Sequence, residues 1–461
     1  MSKVFRIIKA AIQGKEKNFT TGSINRAILY LSIPMILEMV MESLFAVVDV
    51  YFVSQVSVDA VSTVGLTESV ITLVYSMAIG LSMAATAIVA RRIGEKDAEG
   101  ASRSAVQAIL IGVVISLIIG VIGFLSAADI LRMMGGSEEL IAEGVGYTQV
   151  ALATNVVIML LFLLNGIFRG AGDASLAMAS LWVANIINII LDPLFIFGIG
   201  PFPEMGVMGA AVATSIGRGL GVVFQLFILF RGWGAIQVFA RYWKPNWELI
   251  KKMIKIGSSG AMQFLISSAS WIFLMRIIAI FGSESIAGYT ISIRLIIFTI
   301  LPAWGLANAA ATLVGQNLGA GQPERAEKSV WKAAFYNMIF LLVVSIVFFI
   351  FARPLMSFFT DVPNVIDAGV LSLRIICVGY VFFAYGMVIS QAFNGAGDTR
   401  TPMFINLFCF WLLEIPLSYF LSVTLGMGLA GVCWAIAGSE TVLAILAVII
   451  FRRGKWKKIK I

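Results

Sequence analysis

The chain has 461 residues, 60% of them hydrophobic and 13% charged, with a mean hydropathy of +0.96; soluble domains run at about 45–50% apolar and 25% charged, so a water-soluble globular fold is excluded. The formal charge of +8 is reached without a single histidine. That absence removes zinc sites of the usual kind, histidine proton relays and Ser-His-Asp chemistry, and leaves any proton chemistry to carboxylates.

At the N-terminus Lys3, Arg6 and Lys9 interleave with Val4, Phe5, Ile7 and Ile8, the pattern of a short helix lying on a membrane surface. Twelve apolar runs follow, each long enough to cross a bilayer at about 20 residues per crossing. They lie near 28–53, 61–89, 104–125, 145–168, 174–199, 206–230, 256–281, 285–314, 333–351, 368–392, 402–424 and 428–451. The runs are continuously apolar and do not alternate, so helices are expected and a barrel is not. With both termini in the cytoplasm, 27 of the 33 Lys and Arg fall in inner segments, two (Arg132 and Arg353) in outer loops and four (Arg218, Arg276, Arg294 and Arg374) within spans. This obeys the positive-inside rule, and the positive charge is read as topology and attraction to the inner leaflet, with no nucleic-acid partner.

The sequence is internally doubled. Phe168 to Met178 (FRGAGDASLAM) and Phe393 to Met403 (FNGAGDTRTPM) match at six of eleven positions at an offset of 225, and the stretches from Ala90 and Ala127 align at the same offset with those from Gly315 and Ala352. Six spans per half is an even number, so both halves enter the membrane from the same side. The expected fold is therefore all-α and polytopic: twelve transmembrane helices in two parallel six-helix bundles, related by a pseudo-twofold along the membrane normal, with a cleft between them. The lobes are taken as residues 1–230 and 256–461, joined by a basic, Trp-rich cytoplasmic linker over 231–255. Cys377, Cys409 and Cys433 all lie in apolar runs and are read as packing residues. The two GAGD segments are read as tight inner turns whose Asp173 and Asp398 cap the next helix, in preference to phosphate loops.

A charged group at the bilayer centre costs at least about 2.5–3.5 kcal/mol on insertion scales, so each acid within a span needs a reason. Glu38, Glu42 and Asp49 fall on one stripe of the first span. Glu38 lies toward the cytoplasmic end, where hydration is expected. Asn188 and Asp192 sit one turn apart in NIILDP, and Pro193 removes the helical bond to the Ile189 carbonyl. An amide, a carboxylate and a freed carbonyl are the oxygens a hard cation prefers. Thr214, in GAAVAT, adds a hydroxyl. At the offset of 225 Asp49 meets Leu274; at 222, the offset at which Gly206 and Gly209 match Gly428 and Gly431, Asn188 and Thr214 meet Phe410 and Ile436, and only Asp192 has an acidic echo, Glu414. The polar cluster is one-sided, which points to a site specialised in the N-terminal lobe.

The twelve spans in two parallel bundles, SIPM opening the first span, AVVDVYFVS around Asp49, ARRIG, NGIFRGAGD, NIILDP, GAAVAT and QNLGAG together resemble the multidrug and toxic compound extrusion (MATE) family of transporters. The resemblance covers essentially the whole chain. It implies a monomeric transporter in the bacterial cytoplasmic membrane, not an enzyme, without a cofactor, that exports bulky, often cationic organic molecules by antiport with Na+ or H+. In members that load the ion in the N-terminal lobe, the binding cluster matches Asp49, Asn188, Asp192 and Thr214, and Asn165 matches a position proposed to contact substrate. Glu42, Gln263, Trp271 and Arg276 complete the candidates for the substrate or proton path. The seventh span (GAMQFLISSASW) lacks the acid that the NorM branch carries there, and Glu38 and Glu42 are additions to the N-lobe pattern. The alternative is a lipid-linked precursor flippase of the same superfamily; those proteins look like fourteen-helix chains with a strongly basic cavity.

Overall fold

A computed structural model describes residues 3–15 and 18–461, and among these the chain is helical, with no strand. The short helix α1 (Lys3–Ile12) precedes α2 (Ile24–Val53), α3 (Val58–Gly94) and α4 (Ala98–Leu125). Next come α5 (Ala127–Met133), α6 (Glu138–Ala153), α7 (Asn155–Ala171), α8 (Ala174–Phe197) and α9 (Val207–Arg231). The second half holds α10 (Trp247–Ile278), α11 (Ser283–Gly319), α12 (Pro323–Ser357), α13 (Pro363–Val378) and α14 (Tyr380–Ala396). Then α15 (Arg400–Asn406), π-helical turns over Leu407–Glu414, α16 (Ile415–Tyr419), further π turns over Phe420–Thr424 and α17 (Leu429–Arg452) complete it.

Helix ends follow local chemistry. Ser57, Asp97, Ser137 and Asn246 accept hydrogen bonds from the backbone N–H three residues on, at 2.8–3.2 Å, and so cap α3, α4, α6 and α10. Gly172 and Gly397 end α7 and α14 in the left-handed region, with φ of 88° and 87°, which makes both GAGD segments tight turns. Asp398 accepts from the Thr401 N–H and hydroxyl at the start of α15. Asp173 instead accepts from the N–H of Ala235, at 2.6 Å, and ties the 231–246 segment to α8.

Ten helices are long and apolar enough to cross a membrane singly, and two bent pairs bring the number to twelve. Those pairs differ from the continuous runs expected at 145–168 and 368–392: α6 and α7 meet at 40°, α13 and α14 at 57°. Thr154 breaks the first by bonding Val150 O and the Ser215 hydroxyl, while the Asn155 amide takes Leu152 O and Ser116 O. Gly379 breaks the second, packed so closely on Ala437 that a Cβ there would stand 3.3 Å from its Cα. The helix α10 begins at Trp247, ahead of the apolar run expected from 256. Gln107 on α4 holds the segment before it, bonding Tyr242 O, Lys244 O and Asn246 N.

The pseudo-twofold is visible in reciprocal contacts between the halves. A Cβ on Gly94 would stand 2.0 Å from Gln316 O, and one on Gly319, 225 residues later, 2.1 Å from Arg91 O; Arg91 and Gln316 are themselves 225 apart. Gly80 and Gly305, also 225 apart, each meet the backbone of the other half as well, at Gly257 O and Met35 O. Small residues are required there because the backbones of the two halves touch, as tightly packed membrane helices do. Gln316 donates to Gly170 O at 3.0 Å and Arg91 to Ile459 O at 3.2 Å, so the halves are joined by hydrogen bonds at the end that carries the GAGD turns.

Candidate ion-coupling site

In the first half, α8 presents Asn185, Asn188 and Asp192 on one face, all fully buried. Asn188 Nδ2 donates to Asp192 Oδ1 at 3.2 Å and to Thr214 Oγ1 on α9 at 3.0 Å. Asp192 Oδ2, Asn188 Oδ1 and Asn185 Oδ1 are buried acceptor oxygens without a hydrogen-bond partner. Buried polar atoms are seldom left so. Those of Asn188 and Asp192, whose side chains are hydrogen-bonded to each other, fit a proton or a hard cation. No group of three or more His, Cys, Asp or Glu gathers as a metal site among the described residues, so a sodium ion would depend on amide, hydroxyl and carbonyl oxygens as well.

Thr214 also faces a cavity of about 290 Å³, whose lining includes Asp49, Glu68, Tyr75, Tyr147 and Arg218. Asp49 has no hydrogen bond within the protein among the described residues, and its carboxylate opens to this space. The structure thus brings Asp49, Asn188, Asp192 and Thr214 to one region, with Thr214 as the link between the cavity and the buried cluster.

Two turns before Asp49 on α2, Glu42 accepts from Arg218 Nη2 at 3.2 Å and from Asn185 Nδ2 at 3.1 Å. One turn beyond, Glu38 is 1% exposed and accepts from Asn165 Nδ2 at 3.0 Å and Arg169 Nη1 at 3.3 Å. The hydration expected of Glu38 is replaced by an ion pair. Arg169 lines a second cavity, about 80 Å³, between the halves, with Met39, Phe162, Trp304 and Asn394 among its walls. Gln263 is buried behind that wall, bonded to Asn394 and to Thr399 O. Trp271 and Arg276 are exposed on α10 and line neither cavity. Arg276 and Arg294 form no ion pair among the described residues.

Reading the sequence missed three groups of this site. Arg218 falls one turn after Thr214 on the same face of α9, the one positional signal that marks it. Glu68 and Tyr75 on α3 have no such mark. In the second half Glu414 is buried and accepts from the Ser439 hydroxyl at 2.8 Å, beside Glu440, which also escaped notice.

Buried carboxylates and amides beside a cavity in a doubled bundle of membrane-spanning helices are the mark of a membrane transporter. The profile of the MatE family matches residues 34–194 and again 259–420, and the chain belongs to that family. It is 28% identical to the "Probable multidrug resistance protein NorM" of Thermotoga maritima over 94% of each chain. It is 26% identical to the "FAD transporter" of Shewanella oneidensis over 86% of this chain and 88% of the other, and 22% identical to the "Multidrug export protein MepA" of Staphylococcus aureus over 94% of each. A solved "outward-facing conformation of a multidrug resistance MATE family transporter of the MOP superfamily" superposes with a TM-score of 0.89 at 26% identity, covering 100% of both chains.

Proposed function

We propose that the chain is a cation-coupled antiporter that exports bulky, often cationic organic molecules by alternating access, and that it loads Na+ or H+ in its first half at Asp49, Asn188, Asp192 and Thr214. The single observation that carries this reading is the set of buried, unpartnered oxygens on Asn188 and Asp192 joined through Thr214 to the cavity holding Asp49. Its equivalents in the second half, apart from Glu414, are apolar. The names of the T. maritima and S. aureus relatives support drugs as the cargo. Of the residues lining the two cavities only Arg169 and Arg218 are basic, which does not favour a lipid-linked precursor.

Two carboxylates in a low-dielectric interior repel unless a proton or cation neutralises them. Ion binding and drug binding then favour different states, and the difference in affinity is what couples them. The excess of Lys and Arg in the loops supports a cytoplasmic side for both termini and the GAGD turns, and there the contacts around Gly94 and Gly319 seal the halves. Parting those contacts opens the cleft to cytoplasmic drug. Both walls of the cleft come from one chain, so a monomer suffices.

Expression in efflux-deficient cells tests the function: the wild type lowers ethidium accumulation, while Asp49→Asn and Asp192→Asn, present at equal levels in the membrane, do not. Equal accumulation with and without the wild type refutes drug export, and full activity in both variants refutes loading at these acids.

A further inference from the structure

Arg218 is a buried cation in the cavity proposed to receive a cation. It is 2% exposed. Its Nη1 donates to the Tyr75 hydroxyl at 3.0 Å and its Nη2 to Glu42 Oε1 at 3.2 Å. The guanidinium carbon stands 5.1 Å from the Phe45 ring centre and 5.7 Å from that of Tyr75. The acids around it are Glu42 on α2, which it pairs with, and Asp49 on α2 and Glu68 on α3, which line the same cavity; Asp192 on α8 lies with Asn188, one turn along α8 from Asn185. Through Glu42, whose other oxygen takes the Asn185 amide at 3.1 Å, the arginine fastens α2 to α8 and α9 at one level.

Levels above and below are polar too. Asn185 is one turn from Asn188, and Arg218 one turn from Thr214, so the ion cluster and the clasp are consecutive on both α8 and α9. Glu38 is one turn from Glu42, bonded to Asn165 and to the Arg169 that lines the cavity between the halves. Gln225, on α9, closes this lowest level by donating to Asn165 Oδ1 at 2.5 Å. A continuous polar column therefore runs from the Asp49 cavity to the inter-half cavity, with the Glu42–Arg218 pair at its middle. The second half has no such clasp: the positions equivalent to Glu42 and Arg218 are Ser267 and Glu440, and no ion pair forms between them.

We propose that Arg218 is a positioning residue for coupling. A cation entering the Asp49 cavity shares it with the guanidinium, the two repel, and the arginine is pressed onto Glu42. Through Glu42 and α2 the change reaches Glu38, Asn165 and Arg169 at the wall of the inter-half cavity. The inference rests on the proposal that this cavity takes the coupling ion. It adds that the charge of Arg218, and not only its bulk, transmits the ion's presence.

Ethidium binding to the purified full-length protein, followed by fluorescence at stepped sodium concentration and stepped pH, tests it. The wild type should lose about tenfold in ethidium affinity as the coupling ion is raised, a coupling of the usual size. Arg218→Gln and Glu42→Gln should still bind ethidium but show less than about a twofold ion effect, and Arg218→Lys should recover part of it. Full ion dependence in both neutral variants overturns the proposal. Should Arg218→Gln not fold, Glu42→Gln alone decides by the same criterion. A wild type indifferent to both ions overturns the antiport reading and this inference together, whereas an ion-sensitive wild type with ion-sensitive variants overturns this inference alone.

Discussion

Glu38 and Arg169 form an ion pair at 3.3 Å beside the central cavity, and the positions 225 residues later, Gln263 and Asn394, make the same contact as an amide pair, exchanging hydrogen bonds of 3.0 and 3.3 Å. One geometry is thus held by opposite charges in one half and by neutral amides in the other. Removing one member of a buried ion pair strands the other, at a cost of about 3–5 kcal/mol. Arg169→Asn should therefore lower the thermal midpoint in detergent markedly. The double variant Glu38→Gln, Arg169→Asn, which rebuilds the second-half pair, should recover most of it. A double variant no more stable than the worse single one would mean that the pair is not interchangeable.

Backbone contact between the halves makes a second expectation. Because a Cβ at Gly94 would lie 2.0 Å from Gln316 O, and one at Gly319 2.1 Å from Arg91 O, Gly94→Ala and Gly319→Ala should each keep the GAGD end from closing. Labelling of a cysteine placed in the cleft from the cytoplasmic side should rise in both variants to a similar extent, as the pseudo-twofold requires. Unchanged labelling would show that the helices part there at little cost.

The ion cluster should be sensitive to geometry as well as charge. Asn188 donates to both Asp192 and Thr214, so Asn188→Ala should cut ion-driven transport at least about tenfold, in the range for a lost hydrogen bond to a charged group. Transport by this variant at the wild-type rate would separate Asn188 from the site.

Glu414 provides the control. It echoes Asp192 but takes its hydrogen bond from Ser439, and the positions equivalent to Asn188 and Thr214 are Phe410 and Ile436. Glu414→Gln should leave the ion requirement of transport unchanged. A variant that loses ion dependence would move loading to the second half.

Much of this was legible in the residues. The repeat gave the doubling, and the reciprocal Gly94 and Gly319 contacts express it in space. The one-sided placement of Asn188, Asp192 and Thr214 was visible once the offsets were known. The bends at Thr154 and Gly379 were not, since an apolar run reads the same whether or not one residue leaves helical geometry. Arg218 was hidden for a different reason: a long side chain finds Glu42 and Tyr75 on other helices, which no spacing within its own helix records. Burial of Glu38 depended likewise on Arg169 and Asn165 arriving from α7.

Coupling of drug export to the first-half acids is tested most directly in proteoliposomes holding the purified protein, with sodium and pH gradients imposed separately and ethidium movement followed for the wild type and Asp49→Asn. One of the two gradients should drive ethidium in the wild type, and Asp49→Asn should abolish the effect. Transport driven by neither gradient, or driven equally well in Asp49→Asn, would contradict that coupling.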